Sequence, residues 1–301
     1  MSASGARLPW SHALLALAVV AVWGTNFVVI KLALGSLPPL LFATLRFACA
    51  LLPAVFFLPR PAPWRNLAAY GALIGAGQFG VMFIAMDGHI SPGLVSLVIQ
   101  TQVFFTIALA LVLAHERVQP LQWVALAMGA AGLAVIVVNT DGSTTPLGLV
   151  LTLLAALSWA AGNLVGKRAG RVNMLAYMVW MSLFAVPPLA ALSLVFEGPA
   201  AIRHALAGAD AAVWGAVLWQ AVGNTLFGYA AWAWLLARHP AATIVPMALL
   251  VPVFGMAASA WWLGESLPGW KLGAAALVIG GLALNLLGPR VHARWLRRVS
   301  P

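Results

Sequence analysis

The chain has 301 residues, 63% of them hydrophobic and 7% charged, with a formal net charge of +10. Soluble domains carry roughly 25% charged residues, so this composition excludes a water-soluble protein and marks a polytopic membrane one. The lone cysteine, Cys49, excludes an intrachain disulfide and a cysteine-built metal site.

Apolar stretches of about 20 residues, long enough to cross a bilayer as a helix, occur ten times: 11–32, 38–58, 66–86, 92–114, 120–139, 146–166, 173–196, 211–236, 241–262 and 269–288. The connections are too short for a soluble domain. Span one lacks a small-residue cleavage site and reads as an anchor. It carries Trp23, Asn26 and, near its outer end, Lys31. Span two opens on Pro38 and Pro39, where a missing N–H does no harm, and holds Arg46 about 12 Å in from Pro38. Span three carries Gln78 behind Gly71-x3-Gly75. Span four carries Ser96, Gln100, Thr101, Gln102 and Thr106. Gln100 and Gln102 lie about 200° apart on a helix, so one faces a cavity and the other a neighbouring helix. Gln100 with Ser96 is the favoured cavity pair, and the reverse stays open.

Spans five and ten are rich in small residues, Gly129 and Gly132 in one, Gly280 and Gly281 in the other. They read as packing helices at an edge or a dimer contact. Span six holds Trp159, Asn163 and Gly162-x3-Gly166, and span eight holds Asn224, Thr225 and Tyr229. Span nine carries Pro246 and Pro252, each of which breaks or kinks its helix. The paired amides Asn26 and Asn163 are expected to hold broken segments of spans one and six or to line a route, with Trp23 and Trp159 as aromatic walls.

The two halves repeat one another. Trp23 and Lys31 have the same W-x7-K spacing as Trp159 and Lys167, 136 positions later, and "LAHERVQPLQW" around Glu116 matches "WLGESLPGWKL" around Glu265. The units are 11–139 and 146–288, followed by a basic tail, 289–301. Five spans per unit is an odd number, so the second unit enters the membrane inverted, and inverted repeats suit a carrier that rocks one half against the other. With an interior N-terminus, the inner side holds 12 Lys and Arg against 2 outside, once Lys31 and Arg46 are set aside. That bias places both termini in the cytoplasm. The tail faces anionic headgroups rather than nucleic acid.

Polar groups at depth tend to face the bundle interior. Arg46 has Ser182 at its matching position, so its charge is not a repeated scaffold feature. Arg46 and Lys31 are each a candidate carboxylate partner or a helix-end ligand. All six carboxylates map to helix ends or loops, and without a midplane acid a facilitated carrier is favoured over a proton-coupled one. His89, His115 and His239 keep coupling open.

The segments "LAVVAVWGTNFVVIKLALGSLPPLLFATLRFACALLPAVFF", "HISPGLVSLVIQTQVFFTIALALVLAHERV", "AALSWAAGNLVGKRAG" and "PMALLVPVFGMAASAWWLGESLPGW" closely resemble EamA-type exporters of the drug/metabolite transporter superfamily, over about residues 11–288. The resemblance implies an all-α integral membrane fold of ten helices in two inverted five-helix repeats. It implies a central cavity lined by spans one, three, four, six, eight and nine, with five and ten peripheral. Its nearest likeness is to bacterial inner-membrane exporters of amino acids and related metabolites, as monomer or homodimer, with no cofactor or metal. Gln78, Ser96, Gln100, Asn26, Trp23, Trp159, Asn163, Asn224 and Tyr229 are the candidate cavity residues. Among rivals, "GNLVGKR" fails as a phosphate loop because Arg168 replaces its Ser or Thr, and no repeated polar ring suggests a channel. Export of organic cations is disfavoured by the lack of a buried acid.

Overall fold

The structure, a computed structural model, describes residues 8–114, 120–139 and 144–299. Glu116, His115, Arg117 and Asp141 lie outside the described residues. Lipid cannot satisfy a bare backbone, so the spans are helical. Among the described residues, nine helices are long and apolar enough to cross a membrane. The tenth segment, span eight, is continuous through Ala211–Leu218, Trp219–Phe227 and Gly228–Arg238. Its buried Gln220, Asn224 and Thr225 dilute its apolar signal. Span ten runs unbroken as Gly269–Val299, carrying the helix on into the basic tail.

Exchanging each span for the one five places on maps the packing onto itself. Span one on nine becomes six on four, three on six becomes eight on one, and three on seven becomes eight on two. The pairs two on seven, four on nine and five on ten map onto themselves. Glycines set these approaches. A Cβ on Gly24 of span one would sit 2.5 Å from Phe254 Cβ and 2.6 Å from the Val251 carbonyl oxygen of span nine. One on Gly71 would meet the Met181 carbonyl oxygen at 2.5 Å. Gly132 and Gly281 do the same between spans five and ten, against the Ala274 and Ala125 carbonyls at 3.1 and 2.8 Å. The outward faces of spans five and ten stay exposed at Trp123, Val137 and Leu272, as suits edge helices in lipid. Trp261 and Trp262 stand exposed near the outer end of span nine, and Trp10 near the inner end of span one, where indoles suit both interfaces.

The irregular turns are also paired. Spans three and eight each contain a nine-residue π-helical stretch, Ala72–Gly80 and Trp219–Phe227. Spans four and nine each contain a 3-10 stretch, Ile99–Thr101 and Val245–Leu250. Pro246 opens the latter and Pro252 opens the helix after it. Spans one and six, in contrast, are unbroken over Trp10–Ala33 and Pro146–Arg168. Asn26 and Asn163 therefore hold no broken segments of their own helices. Neither span has an interior proline, and π turns next door absorb the deviation instead.

Carboxylates cap helix ends across the repeats. Glu197 accepts from the backbone N–H of Leu40 and Leu41 at the start of span two. Glu265 accepts from Ser91 Oγ and, at 3.0 Å, from the Gly93 N–H at the start of span four. Lys271 pairs with it at 3.2 Å, the two side chains 1% and 7% exposed. Two acceptors at a helix N-terminus suit the positive end of its dipole. Glu265 thus ties the second repeat to the first.

Candidate functional site

Span eight builds the core of the site. Its π turn lets Thr225 Oγ1 donate to the Gln220 carbonyl five residues back at 2.9 Å. The same hydroxyl accepts from Arg46 Nη2 of span two at 2.9 Å. The Gln220 amide exchanges two hydrogen bonds with Asn26 of span one, at 2.8 and 3.3 Å. Trp23 Nε1 donates to the Asn224 carbonyl at 3.1 Å, and its ring lies 5.6 Å from Tyr229 and 5.2 Å from Trp232. Gly228 makes that approach possible, because a Cβ there would collide with the Trp23 indole.

Arg46 is fully buried, its guanidinium 3.9 Å from the Phe79 ring centre and 4.8 Å from that of Phe47. No carboxylate pairs with it among the described residues, and its Nε and Nη1 have no hydrogen-bond partner. An arginine at a helix centre costs about 2.5–3.5 kcal/mol on insertion scales, and ring faces offset part of that. Two of its nitrogen atoms are thus buried without an acceptor.

A second cluster surrounds Asn163 of span six, which donates to Gln102 Oε1 at 2.8 Å and to Thr106 Oγ1 at 3.4 Å. Asn163 also lines a cavity of about 680 Å³ with Tyr70, Arg171, Tyr177, Ala233 and Ala237. These residues come from the ends of spans three, six, seven and eight that lie on the N-terminal side of the bundle. The opposite end is tied by Glu265, by Glu197, by Lys31 Nζ donating to the Met86 carbonyl at 3.3 Å, and by Thr145 N donating to the His89 carbonyl at 2.8 Å. The cavity thus lies toward one end of the bundle and the cross-unit ties lie at the other.

The structure thus gathers Trp23, Asn26, Arg46, Asn224 and Tyr229 into one cluster and places Asn163 in the adjoining one. Gln102 is the residue of span four that bonds Asn163. Gln100 and Gln78 are buried without hydrogen-bond partners among the described residues. Ser96 donates to the Gly93 carbonyl and packs on Gly255 at the crossing of spans four and nine. Trp159 packs on the main core. Lys31 serves the C-terminal end of span three, a favourable place for a cation. Gln220, Tyr70 and Tyr177 went unseen in the sequence, although the chain has only three tyrosines and all of them collect here, Tyr70 within electrostatic reach of both others.

The amide pair gives a direct prediction. Asn26→Leu leaves the buried Gln220 amide unsatisfied and is expected to cost about 1–3 kcal/mol. Asn26→Leu with Gln220→Leu should recover most of that loss, read as detergent thermal stability in a double-mutant cycle.

A helical bundle of two matched five-span units, with buried polar clusters and a cavity toward one end, is the architecture of a membrane transporter. The chain belongs to the EamA-like transporter family, which matches residues 10–138 and 146–287. It is 40% identical over 285 residues to a probable amino-acid metabolite efflux pump of Salmonella typhimurium, covering 92% of this chain and 95% of that one. It is 38% identical over 293 residues to a protein of the same description from Escherichia coli, covering 95% and 97%. A solved structure described only as a protein shares the fold, with a TM-score of 0.61 at 20% identity over 93% of this chain and 99% of that one. The chain is a multi-pass membrane protein of this transporter family.

Proposed function

We propose that the chain exports small amino acids or related metabolites as a facilitated, uniport-like carrier, by alternating access between units 11–139 and 146–288 with both termini cytoplasmic. The observation that supports this best is the cavity lined by both units toward the end that carries Arg171 and Ala237, with cross-unit ties at the other end. Substrate enters from the cytoplasm, reaches Asn163 and Tyr70, and passes to Arg46, Asn26 and Tyr229 as the ties release. The described carboxylates Asp87, Glu197, Asp210 and Glu265 all stand at helix ends, which favours transport without a proton relay. The test is efflux from proteoliposomes loaded with a panel of labelled amino acids, with and without a pH gradient. Selective efflux that survives collapse of the gradient is expected. Efflux only with the gradient would refute the uniport, and flux of organic cations alone would refute the substrate class.

A further inference from the structure

We propose that the Arg46 site selects amino-acid-derived monoanions, carboxylates whose amino group is acylated or absent, and that their export is electrogenic, carrying net negative charge outward. The inference rests on the exporter reading above and names its substrate.

Three observations carry it. First, Arg46 is fully buried with Nε and Nη1 unpartnered, so each edge of the guanidinium keeps an N–H that can donate to a carboxylate oxygen. Thr225 engages only Nη2, and the Phe79 and Phe47 rings hold the plane in place. Second, the site has a wall of phenols. Tyr70 and Tyr177 line the cavity with ring centres 4.6 Å apart, and the Tyr229 ring lies 5.6 Å from that of Trp23, whose span also carries Asn26. Each phenol can donate to a carboxylate or accept from an amide N–H. Third, no carboxylate among the described residues answers an ammonium there. The four described carboxylates cap helix ends, Glu197 on Leu40 and Leu41, Glu265 on Gly93, Asp210 on Val213, with Asp87 ending span three. A free ammonium beside Arg46 would meet a like charge and only ring faces and amide oxygens in return.

The charge balance follows. A zwitterion crosses with no net charge, whereas a monoanion moves one negative charge outward per cycle. Under an inside-negative potential that movement is downhill, so a carrier without a midplane acid still works as an exporter.

The test uses the full-length protein in proteoliposomes with potassium and valinomycin setting the potential, and three probes: N-acetylalanine, alanine and N-acetylalaninamide, which differs from the first only in its carboxylate. N-acetylalanine is expected to leave at least tenfold faster than N-acetylalaninamide, to be accelerated by an inside-negative potential, and to give a current whose reversal shifts by about 59 mV per tenfold substrate ratio. Arg46→Gln should erase the preference and Arg46→Lys should keep a weaker one. Thermal stabilisation of the wild-type protein by N-acetylalanine and not by its amide checks the same point if Arg46→Gln does not fold. Equal rates for the two N-acetyl probes, or a folded Arg46→Gln that keeps the preference, overturns the proposal. Electroneutral alanine flux without N-acetylalanine flux overturns it while leaving amino-acid export intact, and no flux of any probe removes both.

Discussion

Replacing Glu265 with alanine is expected to open the outer end of the protein. The change removes the carboxylate facing the buried Lys271 ammonium and, with it, the acceptor for Ser91 Oγ and the Gly93 N–H. The two donors left unsatisfied at the start of span four cost about 1–3 kcal/mol each. Those contacts join the second repeat to the first, and on the alternating-access reading they part when the outer end opens, so their loss falls mainly on the closed state. A differential of about 3 kcal/mol shifts a two-state population by about two orders of magnitude. Because Cys49 is the only cysteine, a Cys49→Ser background allows a single reporter at Leu94, which is buried just below the tie. Leu94→Cys should react at least tenfold faster with an impermeant thiol reagent added outside when Glu265 is alanine. Unchanged labelling would show that the tie caps span four without governing access.

Gly24→Ala is expected to destabilise the whole bundle. Its new Cβ would lie 2.6 Å from the Val251 carbonyl oxygen and 2.5 Å from Phe254 Cβ, and 3.0 Å from the Gly255 nitrogen. None of these is the free end of a flexible side chain, so spans one and nine must separate. Overpacking in a filled core costs about 1–3 kcal/mol and more where backbone must move, a large share of a total stability of about 5–15 kcal/mol. Detergent thermal unfolding should fall by several degrees. Gly215→Ala is the control, because a Cβ there meets nothing within 4 Å and helix propensity favours the change. A Gly24→Ala protein as stable as the control would mean that spans one and nine do not pack this closely.

The spans and the repeat were legible because a bilayer demands long apolar helices and the second unit reuses the spacing of Trp23 and Lys31. The depth of Arg46 was legible too, being a count along one helix. Its partner was not, since Thr225 lies 179 positions away and reaches it through a π turn that no proline announces. The same turn hid Gln220, which answers Asn26 only because the helix is underwound there. Pro246 and Pro252 mark the irregular stretch of span nine in the sequence, but the matching irregularity in span four, Ile99–Thr101, has no such marker. The connection between spans seven and eight holds a helix, Gly198–Gly208, that the span pattern did not single out. Just before that helix, Glu197 reaches back to span two, a contact with no local signature.

The most direct test of the carrier mechanism is counterflow. Proteoliposomes loaded with labelled alanine or N-acetylalanine, with every ion gradient collapsed, are exposed to the same compound unlabelled outside. Alternating access between the two units predicts that external substrate speeds exit of the label, since each returning carrier is already loaded. Exit that ignores external substrate, or that requires a proton gradient to occur at all, would contradict it.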